Sequence, residues 1–178
     1  MQIWLDQVRE EPFTWEETKS VAPESLGHPE LTALGPVTWK GQVVFADPGY
    51  YLRARLSYDQ TLSCDRCLQP IVDPAESDVE LLILAERDPG AAGEHELQER
   101  DLGVLFVNGE TLETDPILLE QLQLNVPMKP LCRPDCQGLC PTCGADRNED
   151  ACSCEERTAD PRWAALAALK SRLDEEGR

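Results

Sequence analysis

The residues best suited to chemistry in this chain of 178 amino acids are its eight cysteines. Six lie between Leu131 and Glu155, at Cys132, Cys136, Cys140, Cys143, Cys152 and Cys154, and the other two form a Cys-x-x-Cys pair far upstream at Cys64 and Cys67. Two cysteines separated by two residues can turn both sulfurs toward one ion. Four thiolates then complete the closed tetrahedron that structural zinc prefers. Cys140-Pro141-Thr142-Cys143-Gly144 is the best-formed of these turns. Pro141 fixes φ, and Gly144 accepts the positive φ at which backbone N–H groups point back at sulfur.

Eight thiols make one or two four-sulfur zinc sites. Contiguity groups Cys140, Cys143, Cys152 and Cys154, leaving Cys64, Cys67, Cys132 and Cys136 as a second set that ties the middle of the chain to its tail. The loop between Cys67 and Cys132 is long, but closure entropy rises only about 0.6 kcal/mol per doubling of loop length. A structural zinc contributes about 10–16 kcal/mol, so the separation does not forbid the pairing. A rival grouping joins Cys132, Cys136, Cys140 and Cys143, with Cys64 and Cys67 free or paired with Cys152 and Cys154.

Disulfides and redox chemistry compete with zinc. Met1 to Phe13 has neither the basic start nor the apolar core of a secretory signal, so a reducing, cytoplasmic setting is expected, where disulfides are rare. A redox Cys-x-x-Cys would sit where a strand meets a helix in a βαβ unit, and neither pair has that context. A thiol-based redox or metal-handling protein is the alternative to a structural zinc protein.

The elements that must position these thiols read as β-rich. Met1 to Leu5 alternates like a short strand, whereas Pro12 to Pro36, with four prolines, predicts loops and a helical turn around Trp15 to Lys19. Val37 to Ala46 and Tyr50 to Ser63 predict strands joined by a turn at Asp47-Pro48-Gly49. Leu52, Ala54, Leu56 and Tyr58 fall on one face of the second strand, opposite Tyr51, Arg53, Arg55 and Ser57, and that strand runs straight into Cys64. A third strand is expected over Val79 to Ala85, an acidic loop over Arg87 to Asp101, and a hairpin turning at Asn108-Gly109 within Leu102 to Thr114. Asp115-Pro116 predicts a helix start running through Leu124, and Pro127 and Pro130 stop it before the cysteines. Asp160-Pro161 repeats that signature ahead of an alanine-rich helix from Arg162 to Leu173, with Trp163, Leu166, Leu169 and Leu173 as its apolar stripe.

The fold class is therefore α+β: an antiparallel β-rich body with a zinc-binding cysteine segment and a short C-terminal helix. The expected divisions are an irregular segment 1–36, a β-rich body 37–126 with one helix near its end, a cysteine-rich segment 127–157 and a helix 158–178. Residues 37–178 are expected to form one folded unit.

The formal charge is −18, and residues 1–126 hold 8 Lys+Arg against 24 Asp+Glu. Such a body repels phosphate, which argues against direct binding of naked RNA through a basic surface and favours basic proteins as partners. An acidic surface also simply confers solubility. No apolar run approaches the roughly 18 residues of a membrane span, and no histidine stands near a nucleophile motif, His28 and His95 lying in irregular stretches. Glu113, Asp115 and Glu120 read as an exposed helical face, with no matched acid–base geometry. Arg53, Arg55, Arg66 and Trp163 are candidates for partner contact. Arginines on a strand face more commonly balance neighbouring acids, and Arg66 can equally hold its turn.

Taken together, LSCDRCL at Leu62 to Leu68, VPMKPLCRPDCQGLCPTCGADRN at Val126 to Asn148, Cys152-Ser153-Cys154 and DPRWAALAALK at Asp160 to Lys170 resemble the YceD-like family of large ribosomal RNA subunit accumulation proteins. The resemblance implies a non-enzymatic role in making the large ribosomal subunit, supporting accumulation of its rRNA. The implied partner is the large-subunit precursor or a basic ribosomal protein, with no small-molecule substrate and no membrane. The matching positions are Cys64, Arg66 and Cys67, then Cys132, Cys136, Cys140, Cys143, Cys152 and Cys154, and finally Pro161, Trp163 and Leu166.

Overall fold

A computed structural model describes residues 1–85, 103–149 and 152–154, together with Arg162 and Leu166. The expected acidic loop, Trp163 and all but two residues of the expected C-terminal helix lie outside the described residues.

The described elements are β1 (Gln2–Trp4), α1 (Leu5–Glu10), β2 (Phe13–Lys19), a 3-10 turn (Pro23–Leu26), β3 (Leu31–Leu34), β4 (Val37–Ala46), β5 (Gly49–Ser63), β6 (Pro70–Ala85), β7 (Val104–Val107), β8 (Thr111–Glu113) and α2 (Thr114–Asn125). β2, β4, β5, β6 and β7 form one sheet in that order, β3 pairs with the far end of β5, and β1 pairs with β8 in a small second sheet. All pairings are antiparallel except β6 with β7.

The sheet is built on alternation. Leu52, Leu56, Tyr58 and Leu62 of β5 are buried beside Val37, Trp39 and Val43 of β4, while Arg53 and Arg55 face outward. Burying a large aliphatic or aromatic side chain contributes about 1.5–3 kcal/mol, so this face is what holds the long β5–β6 hairpin in register. Ile117, Leu118 and Leu122 of α2 join the same core with Ile3, Leu5 and Val8. No described helix is long and apolar enough to cross a membrane.

Several expectations need correction. Residues 1–36 are not irregular: Phe13–Lys19 is a strand paired along its whole length with β4, not a helical turn. Phe13 and Trp15 face inward, and Trp15 reaches Trp39 with ring centroids 5.7 Å apart. β6 starts at Pro70, nine residues before Val79, and pairs with β5 down to Ser63–Pro70. Its prolines are tolerated because, among the described residues, β7 covers its other side only from Leu82 onward. The chain does turn at Gly109, with φ 99°, but β7 and β8 do not pair; each joins a different sheet.

In α2 the residue before the helix is Glu113, and no side chain caps its first turn. Asp115 instead takes an ion pair from Lys19 of β2. The division within the chain also differs from the expected boundaries, because the chain forms two compact units, Met1–Cys136 and Gln137–Arg178, and the break falls inside the cysteine-rich segment.

Candidate metal centres

The first cysteine pair sits at the tip of the β5–β6 hairpin. Ser63 and Pro70 are the last paired residues, and the six between them close the turn through the Cys64 N–H donating to the Gln69 carbonyl (2.9 Å) and the Leu68 N–H donating to the Cys64 carbonyl (2.9 Å). α2 supplies the other half. It ends at Asn125, and the extended backbone of Val126 before Pro127 redirects the chain. The Pro130 carbonyl then accepts the Asp65 N–H at 2.9 Å, which brings Cys132 and Cys136 over the hairpin tip.

The four sulfurs of Cys64, Cys67, Cys132 and Cys136 all lie within 4.8 Å of one another. Cys64 and Cys136 are 3.9 Å apart and Cys67 and Cys132 3.6 Å. A disulfide requires about 2.05 Å, whereas a tetrahedron with metal–sulfur bonds of about 2.3 Å has edges of about 3.8 Å. The spacing is that of a tetrahedral ion site. Cys64, Cys67 and Cys136 are buried and Cys132 is exposed, so the centre is open toward solvent on one side only.

Arg66, inside the first turn, donates from Nη1 to the Cys136 carbonyl at 2.7 Å and so stitches the two halves together. Because that bond is charge-assisted and partly buried, Arg66→Ala is expected to lower stability by about 1.5 kcal/mol, while Arg66→Lys, lacking the planar fork, recovers only part of it. Chemical denaturation of the metal-loaded protein checks this.

The second tetrad, Cys140, Cys143, Cys152 and Cys154, meets the same 4.8 Å criterion within the unit Gln137–Arg178. Its turn repeats the first bond for bond. The Cys140 N–H donates to the Ala145 carbonyl (2.8 Å), the Gly144 N–H to the Cys140 carbonyl (2.9 Å), and Leu139 bridges to Asp146 as Ser63 does to Pro70. The Asp146 side chain accepts from the Asn148 backbone N–H and side chain, and the Asn148 side-chain oxygen accepts from the Gln137 N–H, which closes this small hairpin. The residue after the second cysteine is left-handed in both turns: Gly144 at φ 76° and Leu68 at φ 61°. For glycine this is free, whereas for leucine it costs about 1 kcal/mol or more.

The thiols within each set are driven apart in acidity. Burial opposes ionisation of Cys64, but the N–H groups of Cys132, Cys67 and Arg66 outweigh it and bring the thiol down to about 6. Desolvation and the neighbouring sulfurs of Cys136, Cys67 and Cys64 push Cys132 up to about 12. In the second set the N–H groups of Cys143 and Thr142 lower Cys140 to about 6, whereas hydrogen bonding with Cys143, desolvation and Cys140 raise Cys154 to about 12. Four sulfurs this close repel one another as thiolates unless a cation sits among them. The donor set therefore fits a soft-tolerant dication, and four sulfurs leave no position for water.

The other sequence candidates lie elsewhere. Arg55 makes a two-point ion pair with Asp78 (2.6 and 2.8 Å) and Arg53 lies 3.4 Å from Glu80, both across β5–β6. Leu68 was missed as a special position. Its signal is the offset between the two turns, Cys-x-x-Cys-Leu against Cys-x-x-Cys-Gly.

With this geometry in view, the family model of the large ribosomal RNA subunit accumulation protein YceD matches residues 52–170, which take in both tetrads, most of β5, and β6 and β7. The chain belongs to the YceD family. Among its relatives, the uncharacterized protein YlbN of Bacillus subtilis is 25% identical over 173 residues, covering 96% of this chain and 95% of its own. Uncharacterized proteins of Mycobacterium bovis and Mycobacterium tuberculosis are each 32% identical over 106 residues, covering 60% of this chain. The matched part is 48% of each mycobacterial protein, so this chain spans about half of their length. No solved structure matches. The match to YlbN carries the likeness through nearly the whole chain, including the region of the N-terminal strands that the family model leaves out.

Proposed function

We propose that this chain is a non-enzymatic, cytoplasmic factor in large ribosomal subunit biogenesis. It supports accumulation of large-subunit rRNA by binding a basic ribosomal protein or an immature large-subunit particle. The observation that carries this is the family match itself, whose description names large-subunit rRNA accumulation. The charge of −18 supports a protein partner over bare RNA.

Both tetrads hold structural zinc in this proposal. Zinc would supply charge compensation for the clustered thiolates and a staple between segments, and the closed donor set supports a structural role over a Lewis-acid one. What the chain's own residues do is position those thiolates: the β5–β6 tip and the Pro130 carbonyl for the first set, the Leu139–Asp146 hairpin for the second. A dithiol redox protein needs two sulfurs in reach, and each set here offers four.

Deleting the gene should lower the ratio of large- to small-subunit rRNA, and restoring the chain should recover it. An unchanged ratio during growth would sink the biogenesis role. Zinc-free protein with all eight thiols freely titratable would bring the redox or metal-handling alternative forward.

A further inference from the structure

The two tetrads offer the same four donors, but the chain guards them unequally. In the first, Cys64 (0% exposed), Cys67 (4%) and Cys136 (2%) are closed off, and Cys132 alone faces solvent. In the second, Cys140 alone is buried, Cys143 is exposed, and Cys152 and Cys154 are half-buried. The turns differ in the same sense. Pro141, Thr142, Cys143 and Gly144 are all exposed, whereas the first turn keeps both of its cysteines buried although Asp65, Arg66 and Leu68 are exposed. Access to a sulfur governs how readily a competing reagent reaches it.

Attachment separates them further. The segment that carries the exposed Cys132 is pinned on both sides by bonds that need no ion. Before it, the Pro130 carbonyl accepts the Asp65 N–H at 2.9 Å, and after it, the Cys136 carbonyl accepts Arg66 Nη1 at 2.7 Å. The Cys132 N–H itself donates to the Cys64 sulfur at 3.4 Å. All four of these cysteines belong to Met1–Cys136, the unit that holds the whole core. The second set lies wholly within Gln137–Arg178. The described bonds of its hairpin run from Gln137 to Glu149, so they shape the turn of Cys140 and Cys143 and do not include Cys152 or Cys154. Local openings of such a unit lie at the low end of the free-energy range, far below global unfolding.

We infer that the second tetrad is a metal-exchange site for thiophilic dications, with Cys143 the first sulfur to let go, while the first tetrad is a locked staple. In the exchange, an incoming thiolate or chelating nitrogen takes the position that the Cys143 sulfur leaves. That sulfur departs as a thiolate and takes its proton from solvent, so no electron moves and no disulfide forms. Cys152 and Cys154 follow, and the buried Cys140 is last. The core of the sheet persists throughout, because none of its residues lies in the unit that opens. This inference rests on the proposed zinc in both tetrads and deepens it: one centre fixes the fold, and the occupancy of the other follows the supply of dications and competing thiols.

The test uses the full-length chain with both centres loaded with zinc, kept anaerobic and mixed with an excess of a pyridylazo chelating dye that reports released metal. Release is expected in two phases of one ion per chain each, the first faster by at least about tenfold. N-ethylmaleimide added during the fast phase and mapped by mass should label Cys143 first and then Cys152, Cys154 and Cys140. Amide protection of β4 and β5 should be unchanged over that phase, and cadmium added afterwards should refill the emptied site. Cys140→Ser should release its remaining ion in the slow phase only. A single phase, or a fast phase that labels Cys64, Cys67, Cys132 and Cys136, overturns the inference and leaves the zinc reading standing. Loss of protection in β4 and β5 during the fast phase, or failure of cadmium to refill the site, overturns it as well. A chain that takes up no zinc at the outset removes the zinc reading and the inference with it.

Discussion

Cys64→Ser is expected to strip the first centre of its metal and to release the segment from Val126 to Cys136 from the β5–β6 tip. Cys64 is fully buried, its sulfur accepts the Cys132 N–H at 3.4 Å, and it lies 3.9 Å from Cys136. Serine keeps the size of the group but not a soft anionic donor, so the remaining three thiols cannot close the tetrahedron. Because the tetrad joins residues far apart in sequence, most of its binding energy is folding energy. We expect metal content to fall by one ion per chain and stability to fall by about 4 kcal/mol or more. Limited proteolysis should then cut between Val126 and Cys136, where the wild type is expected to resist. Unchanged protection there would mean that the first four sulfurs do not share an ion.

Cys140→Ser should also cost one ion, but with a different consequence for the rest of the chain. The second tetrad is held within Gln137–Arg178 by its own short hairpin, and the core of Val37, Trp39, Leu52, Leu56 and Ile83 belongs wholly to Met1–Cys136. Compact units, each with its own internal contacts, open as separate cooperative units. The unfolding midpoint of the sheet is therefore expected to move by the equivalent of about 0.5 kcal/mol or less, while the second hairpin loses its amide protection. Hydrogen exchange read residue by residue separates the two effects. A collapse of protection throughout β4 and β5 would contradict the independence of the centres.

How much of this was legible in the sequence depended on how local each signal was. The run from Leu52 to Tyr58 could be read because Leu52, Ala54, Leu56 and Tyr58 alternate with polar residues, and β4 because it is rich in β-branched and aromatic residues and Pro48-Gly49 marks its end. The grouping of cysteines followed from contiguity, since a short hairpin brings Cys140 and Cys143 together whatever the rest of the chain does. β2 was hidden because its last two inward positions are Glu17 and Lys19, which form an ion pair at 3.2 Å instead of presenting apolar side chains. The start of β6 was hidden by Pro70 and Pro74 and by a polar outer face. Asn108-Gly109 reports a turn and nothing about what its flanks pair with, so β7 and β8 went to partners that only the tertiary fold chooses. The left-handed Leu68 runs against local propensity, and such departures concentrate where function constrains the chain.

The measurement that bears most directly on the proposed role is the sedimentation of the tagged chain in a gentle lysate of its host, with rRNA and proteins identified across a sucrose gradient. The expected result is co-migration with immature large-subunit particles, or with a free basic ribosomal protein in the lighter fractions, lost when Cys64→Ser replaces the wild type. A chain that stays alone at the top of the gradient, in cells whose large-subunit rRNA is unchanged by its deletion, would contradict the proposed role.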